Sequence, residues 1–574
     1  MIWVRRLGHL GFLALLLWGF VARFGYTYGW ADQDEWLPVV LHRLDPALLK
    51  SDWFVGLYAE ACGVRELIIR LFASLGRWMP LPIAVALLYG LVFLWLADAL
   101  WRWLRALWGS AAVAYIGTAL TFWGALTFTL GGNRLAYSML VPEMPAVALA
   151  LTGLALFTQG RWPWAAPLIG LASWWQPLVG LQVGAVLTLS LLTGGPLDRA
   201  RRLLQGLIFG LCVLAAAAPV LWPLWRTQQA WRAPGLEADL FYILAVFRNP
   251  HHYLASAFPP AQWAKFGLLL LGAALARAFG ARPAREHIIG RFLGWSGCLW
   301  IASWIAVDGL KWLPMARMQW FKLSLFVPPL LVAYAAHGLW RALPGPFYRL
   351  RAWPGWAIAT FAAGLTAWTW TLANQNSPFW RARLAIAGPP DAAFEALCAW
   401  ARTQTEREAI FAVPPFESRW RTMAQRATVV NFPAFPYLDR AMLEWYARLQ
   451  ALTRIGRPRR GGYALEPLMN RGYHELNETD WRKLSDRYGV RYVVRQRAQE
   501  GRPLELPIAY ANSAWVVYRI PEPSPLEGPR GYLGLWQRNP VPHITVLGPG
   551  EEPSPLWIGH EHGNGAVMTL KLRV

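Results

Sequence analysis

The stretch WPWAAPLIGLASWWQPLVGLQVGAVLTLSLLTGG, Trp162 to Gly195, is apolar almost throughout, too long for one bilayer crossing, and interrupted at Gln176-Pro177. A crossing takes roughly 18–20 apolar residues to cover about 30 Å of hydrocarbon. Proline has no amide proton and its ring clashes with the preceding turn, so a polar residue followed by proline reads as a break between two short helices. The orientation of everything downstream hangs on that reading. A hairpin returns Arg161 and the arginines of DRARR (Asp198–Arg202) to one side of the membrane, as the cytoplasmic bias of arginine requires. A single span would put them on opposite sides.

Working outward, further apolar runs are His9–Tyr26, Leu81–Leu104, Ser110–Leu130, Met139–Phe157, Leu203–Trp225, Trp263–Phe279, Gly290–Val307, Trp320–Trp340 and Trp353–Leu372. With the hairpin, this makes about eleven crossings. The short connections carrying Arg5 and Arg6, Arg102 and Arg105, Arg161, Arg199 to Arg202, Arg277 to Arg291, and Arg341 to Arg351 then share the cytoplasmic side with the N-terminus. The first apolar run lacks a small-x-small cleavage site before Tyr28 and reads as a retained helix. Among 574 residues, 56% are hydrophobic and the net charge is +22. The arginines are spread over cytoplasmic loops, where topology and anionic lipid account for them, so nucleic acid is a poor explanation of the charge. Four cysteines, Cys62, Cys212, Cys298 and Cys398, form no CxxC pair, and a Cys62–Cys398 disulfide is the one outer pairing they allow.

Hydropathy collapses after Leu372. The expected organisation is a transmembrane domain at 1–373 with a long first outer loop at 28–80, a soluble extracytoplasmic α/β domain at 374–520, and a Pro/Gly-rich tail with short strands at 521–574. AIFAVPP, ATVVNF, VRYVVR and WVVYRI read as short buried strands. YLDRAMLEWYARLQALTR and ETDWRKLSDRYG read as amphipathic helices, the second opening at Asn477 or Thr479 and stopping at Gly489.

Chemistry-bearing residues gather in three outer segments. The first loop opens YGWADQDEWLPVVLHRLDP, with Asp32, Asp34 and Glu35 just past the first helix, and Asp45 and Asp52 farther on. Asp32 and Asp34 point to one side of an extended segment and could equally converge in a turn; as neighbours they could hold a divalent cation such as Mg or Mn, or supply a general base, or simply face water. VRELIIRLFASLGRW, later in that loop, has the pattern of a helix lying in the membrane interface. The second segment carries RNPHHY, with Arg248, His251 and His252 suited to a phosphate. The third carries Arg317, Gln319 and Lys322, cations that bind phosphate or snorkel to headgroups. Glu143, flanked by prolines at a span edge, and HEHGN at His560–Asn564 have no clear partner.

A first helix, an acidic outer loop, an interfacial helix, about eleven spans and an outer C-terminal domain together resemble the GT-C superfamily of membrane glycosyltransferases. The stretches ADQDEWLPVVLHRLDPALLKSDWF, FRNPHHY, ARMQWFKLSLF and RWRTMAQRATVVNFPAFPYLDRAMLEWYARL look like an uncharacterised family of bacterial polytopic proteins allied to it. The resemblance implies an inner-membrane enzyme that passes a sugar from a polyprenyl-phosphate donor to a glycan, lipid or protein acceptor at the outer face. It implies a catalytic acid in the first loop, best matched by Asp34 with Asp32 and Glu35 beside it, and a substrate or phosphate set of His42, Asp52, Arg248, His251, His252, Arg317, Gln319 and Lys322. The rival classes are a transporter or flippase of an anionic or lipid-linked substrate, and a non-catalytic envelope assembly protein. A transporter would place ionisable groups at mid-span, whereas this chain keeps nearly all its acids and histidines outside. A reporter fused after Leu372 is expected to be active only outside the cytoplasm; cytoplasmic signal would overturn the span count.

Overall fold

In hydrocarbon every backbone amide must be satisfied within the protein, so the apolar two thirds of the chain is helical. The computed structural model describes residues 2–194, 198–342 and 391–521, together with single positions at 357, 360, 364, 368 and 371. Among the described residues, five helices are long and apolar enough to cross a membrane: Arg6–Phe24, Leu81–Trp108, Arg199–Ala230, Glu286–Gly309 and Leu313–Arg341. Shorter apolar helices run Ala111–Gly124, Glu143–Thr158 and Pro177–Thr193. Helices at Trp162–Trp175 and Pro260–Ala278 complete the set. The expected span Trp353–Leu372, the tail strands and the HEHGN tract lie outside the described residues. Leu203, Leu207, Leu211 and Leu214 are exposed along one long helix, an apolar flank of the kind that lipid covers.

The break at Gln176 is real. Its backbone is extended, with φ −145° and ψ 102°, between Trp162–Trp175 and Pro177–Thr193. The chain then folds back on itself: a Cβ placed on Gly180 would lie 2.5 Å from the Ile169 carbonyl oxygen and 2.7 Å from the Ser173 nitrogen. Only glycine tolerates that approach, and it produces the hairpin read from Gln176-Pro177.

The C-terminal segment holds a five-stranded mixed sheet in the order β2-β1-β3-β5-β4. The strands are β1 (Ile410–Ala412), β2 (Ala427–Thr428), β3 (Val490–Gln496), β4 (Ile508–Ala511) and β5 (Trp515–Arg519). β1 runs parallel to β2 and β3, while β5 is antiparallel to β3 and β4. Alternation along the strands divides two cores. Phe411, Tyr492, Val494 and Val517 pack on Phe394 and Trp420. Ala412, Val493, Val516 and Tyr518 face Trp445, Trp481 and Phe432 on the other side. The helix Glu478–Tyr488 starts in a capping box between Asn477 and Asp480 and ends at Gly489 in the left-handed conformation, φ +71°.

The second core does not stop at the sheet. Phe247, from the outer segment between two spans, sits 5.9 Å from both Phe432 and Trp445, measured between ring centres. Leu240, Leu244, Val307 and Leu313 belong to the same cluster. Full burial of each such side chain is worth about 1.5–3 kcal/mol, so this shared core is a strong bond between the membrane-side segments and the sheet. The chain up to Ile520 accordingly forms one compact unit. All four cysteines are free thiols, so the pairing open to Cys62 and Cys398 is not made; Cys398 is sealed in the sheet's other core.

Candidate functional site

The loop after the first helix begins with a tight turn, one of the two geometries open to its acids. Ala31–Glu35 is a 3₁₀ helix, entered through Ala31 at φ +51°. Gln33 pins it from within: its side-chain amide donates to the Leu140 carbonyl at 3.2 Å and its oxygen accepts from the Gly29 amide at 2.7 Å. The Ala31 amide donates to Ser418 Oγ at 3.0 Å. With three residues per turn, positions i and i+3 share a face, so Asp32 and Glu35 lie together and Asp34 points elsewhere.

Asp34 points into the protein. It is fully buried, and its Oδ2 accepts from Arg421 Nη1 at 3.2 Å and from the Asn431 side-chain amide. Arg421 also donates from Nε to Asp52 Oδ2 at 2.8 Å. Asp52 accepts the Thr428 amide at 3.0 Å and caps the helix Trp53–Glu60 through the Val55 amide at 3.1 Å. One guanidinium therefore ties two carboxylates of the first loop to the C-terminal segment. Burial pushes Asp34 up to about 6, against the pull of Arg421 and Asn431. Asp34 is thus engaged through Oδ2 while its Oδ1 is buried without a protein partner, and Asp52 serves as a helix cap.

Asp32 is different. It is partly exposed and has no hydrogen-bond or ion-pair partner among the described residues. It lies within electrostatic reach of Glu35, Arg65, Tyr137, Arg248 and Tyr463. Glu35 is held by Arg65, whose Nε and Nη2 donate to Oε2 at 2.9 and 2.7 Å, and burial raises its pKa against that pairing. Arg248 ends a π-helical turn, Tyr242–Arg248, a local widening that often marks a functional position. Its guanidinium is buried without a carboxylate: Nη1 donates to Asn249 Oδ1 at 2.9 Å, Nη2 to the Pro433 carbonyl at 2.8 Å, and the rings of Phe432 and Tyr463 cover its faces at 4.8 and 5.4 Å. Arg248 Nε and the Asn249 side-chain amide are buried donors with no protein acceptor. Two such donors side by side suit an anion.

The remaining predicted residues divide. The His251 and His252 rings lie 4.0 Å apart, centre to centre, tilted at 46°. His252 Nδ1 donates to the Gly131 carbonyl at 2.6 Å, which leaves Nε2 as an acceptor in the neutral ring. Burial, then the neighbouring Lys322, pushes His252 down to about 4. Lys322 is buried and ion-paired with Glu143, which answers the oddity of that acid, and Tyr137 donates to the other Glu143 oxygen at 3.1 Å. Its charge is thus neutralised inside the protein. Gln319 adopts φ +45° beside the Tyr253 hydroxyl, with its carbonyl accepting from Gln182 at 3.1 Å. Arg317 is taken by Asp439 at 2.5 Å. His42 donates from Nδ1 to the Leu48 carbonyl at 2.7 Å, a local staple away from the Arg248 cluster. Among the described residues no three His, Cys, Asp or Glu side chains converge to hold a metal ion.

The sequence reading missed Arg65, Tyr137, Arg421, Asn431 and Tyr463. Arg421 and Asn431 lie inside RWRTMAQRATVVNF, where their signal is that of ordinary polar residues between strands.

A family model described as a domain of unknown function, DUF6798, matches residues 392–452, the segment that carries Arg421 and Asn431. No curated protein matches the chain in sequence. The crystal structure of ArnT from Cupriavidus metallidurans bound to undecaprenyl phosphate is similar at 14% identity and TM-score 0.43, over 91% of this chain and 99% of that one. A likeness at that level is one of general outline.

Two outcomes follow from the geometry. Arg421→Ala leaves two buried carboxylates uncompensated and is expected to cost about 3–5 kcal/mol, read as a lowered thermal unfolding midpoint and faster proteolytic release of the C-terminal segment. His252 has a folded pKa depressed to about 4. Its contribution is therefore full above the unfolded value near 6.5 and is lost as pH falls toward 4. Unfolding midpoints should drop across that window and drop less in His252→Gln.

Proposed function

We propose that this chain is a membrane glycosyltransferase of the GT-C type, taking a sugar from a polyprenyl-phosphate donor at the outer face of a bacterial inner membrane, with the C-terminal sheet extracytoplasmic. One observation carries the reading: Asp32, a part-exposed carboxylate without a protein partner, lies within electrostatic reach of Arg248, a buried guanidinium that no carboxylate hydrogen-bonds. Sugar transfer needs those two charges in one place. As the acceptor oxygen attacks the anomeric carbon, Asp32 takes its proton. The bond from that carbon to the donor phosphate breaks, and the electron pair leaves on the phosphate oxygen. Arg248 Nε and the Asn249 amide then meet the leaving phosphate as donors that no protein group satisfies. Neutral His252, with Nε2 as an acceptor, suits a sugar hydroxyl better than a phosphate.

Glu35 serves as a positioning residue in this scheme. Its pairing with Arg65 sets the charge beside Asp32 and keeps Arg65 from satisfying Asp32 directly. Asp34 holds the loop.

The test separates the two aspartates. In reconstituted membranes supplied with labelled polyprenyl-phosphate sugars, Asp32→Asn should lower transfer by about 10²–10⁴-fold without changing the unfolding midpoint. Asp34→Asn should lower the midpoint while the folded fraction keeps most of its activity. Retained transfer in Asp32→Asn would remove the proposed base.

A further inference from the structure

Tyr463 is a large aromatic side chain left 45% exposed beside a cluster of charges, and the fold holds it there tightly. Two glycines precede it. A Cβ on Gly461 would collide with the carbonyl oxygens of Val246 and Phe247 and lie 2.7 Å from the Phe247 carbonyl carbon, all backbone atoms that cannot yield. Gly462 has φ +75°, and a Cβ there would come within 3.3 Å of the Pro250 ring. Both positions demand glycine, and together they press this loop of the C-terminal segment onto the turn that carries Arg248. The result is a fixed tyrosine ring centred 5.4 Å from the Arg248 guanidinium, 5.8 Å from the Phe432 ring and 6.2 Å from the His251 ring. Asp32 is within electrostatic reach of its hydroxyl.

An aromatic packed against protein yet 45% exposed, within electrostatic reach of an unpartnered carboxylate, suits a ligand with an apolar face and a hydroxylated edge. A pyranose has both. Its axial C–H groups pack on a ring face, and its equatorial hydroxyls reach polar groups at the rim.

We propose that Tyr463 is a carbohydrate-stacking platform for the acceptor, seating a pyranose so that one of its hydroxyls meets Asp32. The acceptor is then a glycan or glycolipid. The proposal deepens the glycosyltransfer reading and rests on it for the direction of transfer, but not for the binding itself.

The test reads binding without turnover. Full-length protein in nanodiscs is mixed with a panel of methyl pyranosides (α- and β-glucoside, galactoside, mannoside and N-acetylglucosaminide) and followed by saturation-transfer NMR. At least one glycoside should receive saturation in the wild type, most strongly at the protons of one ring face, and Tyr463→Phe should match it within about twofold. Tyr463→Ala should weaken that binding by roughly tenfold, as expected for loss of an aromatic contact. Asp32→Asn should retain the ring-face signal. No saturation of any glycoside in the wild type, or an equal signal in Tyr463→Ala at matched thermal stability, overturns the platform. Sugar binding without any transfer from labelled donors would sink only the glycosyltransfer reading. A Tyr463→Ala variant that keeps its sugar binding but melts earlier would show the ring to be a mere cover for Arg248, which also overturns the proposal.

Discussion

A single guanidinium between two carboxylates organises this protein. Arg421 reaches Asp34 and Asp52 across sequence separations of 387 and 369 residues, and all three groups are sealed from solvent. Two negative charges and one positive charge in a dry site are costly unless the remaining lone pairs are filled. Asp52 fills its own with two backbone amides, and Asn431 assists Asp34. What this arrangement contributes is register more than stability: a hydrophobic replacement could fill the same volume, but it would not specify which turn of the first loop docks on which strand. With Asp34 locked, Asp32 has one orientation left to it.

The division of labour among three neighbouring acids follows from helical geometry. Alternation on an extended segment would pair Asp32 with Asp34. A 3₁₀ turn pairs Asp32 with Glu35 and sends Asp34 to the opposite face. One face presents charge to the Arg248 cluster, and the other buries it as an anchor. The turn itself is specified by contacts remote in sequence, Gln33 with Leu140 and Ala31 with Ser418. No local propensity in ADQDE predicts it.

That distinction marks how far the sequence could be read. Features set by local rules were legible: the helix break at Gln176-Pro177, four of the five strands of the C-terminal sheet (β4, Ile508–Ala511, was not), the Asn477 cap and the Gly489 stop. The grouping of Arg248, His251 and His252 near the first-loop acids was legible in part, since the residue types suit an anion wherever they fall. Which acid is free and which is spent was not, because partnership is a tertiary property. Asp32 and Asp34 are chemically identical and two residues apart; Arg421 and Asn431 tell them apart. Lys322 likewise looks like a phosphate ligand until Glu143, 179 residues away, is found against it.

The long reach of the Arg421 contacts also has a consequence for biosynthesis. Ribosomes add roughly 5–20 residues per second, so on the order of 20–80 s separate emergence of the first-loop aspartates from that of their arginine. During that interval Asp34 and Asp52 lack the arginine that pairs them in the folded chain. The docking of the first loop on the C-terminal segment is thus a late event, and a chain that stalls before Arg421 is left with two acids to bury and no cation to pair them.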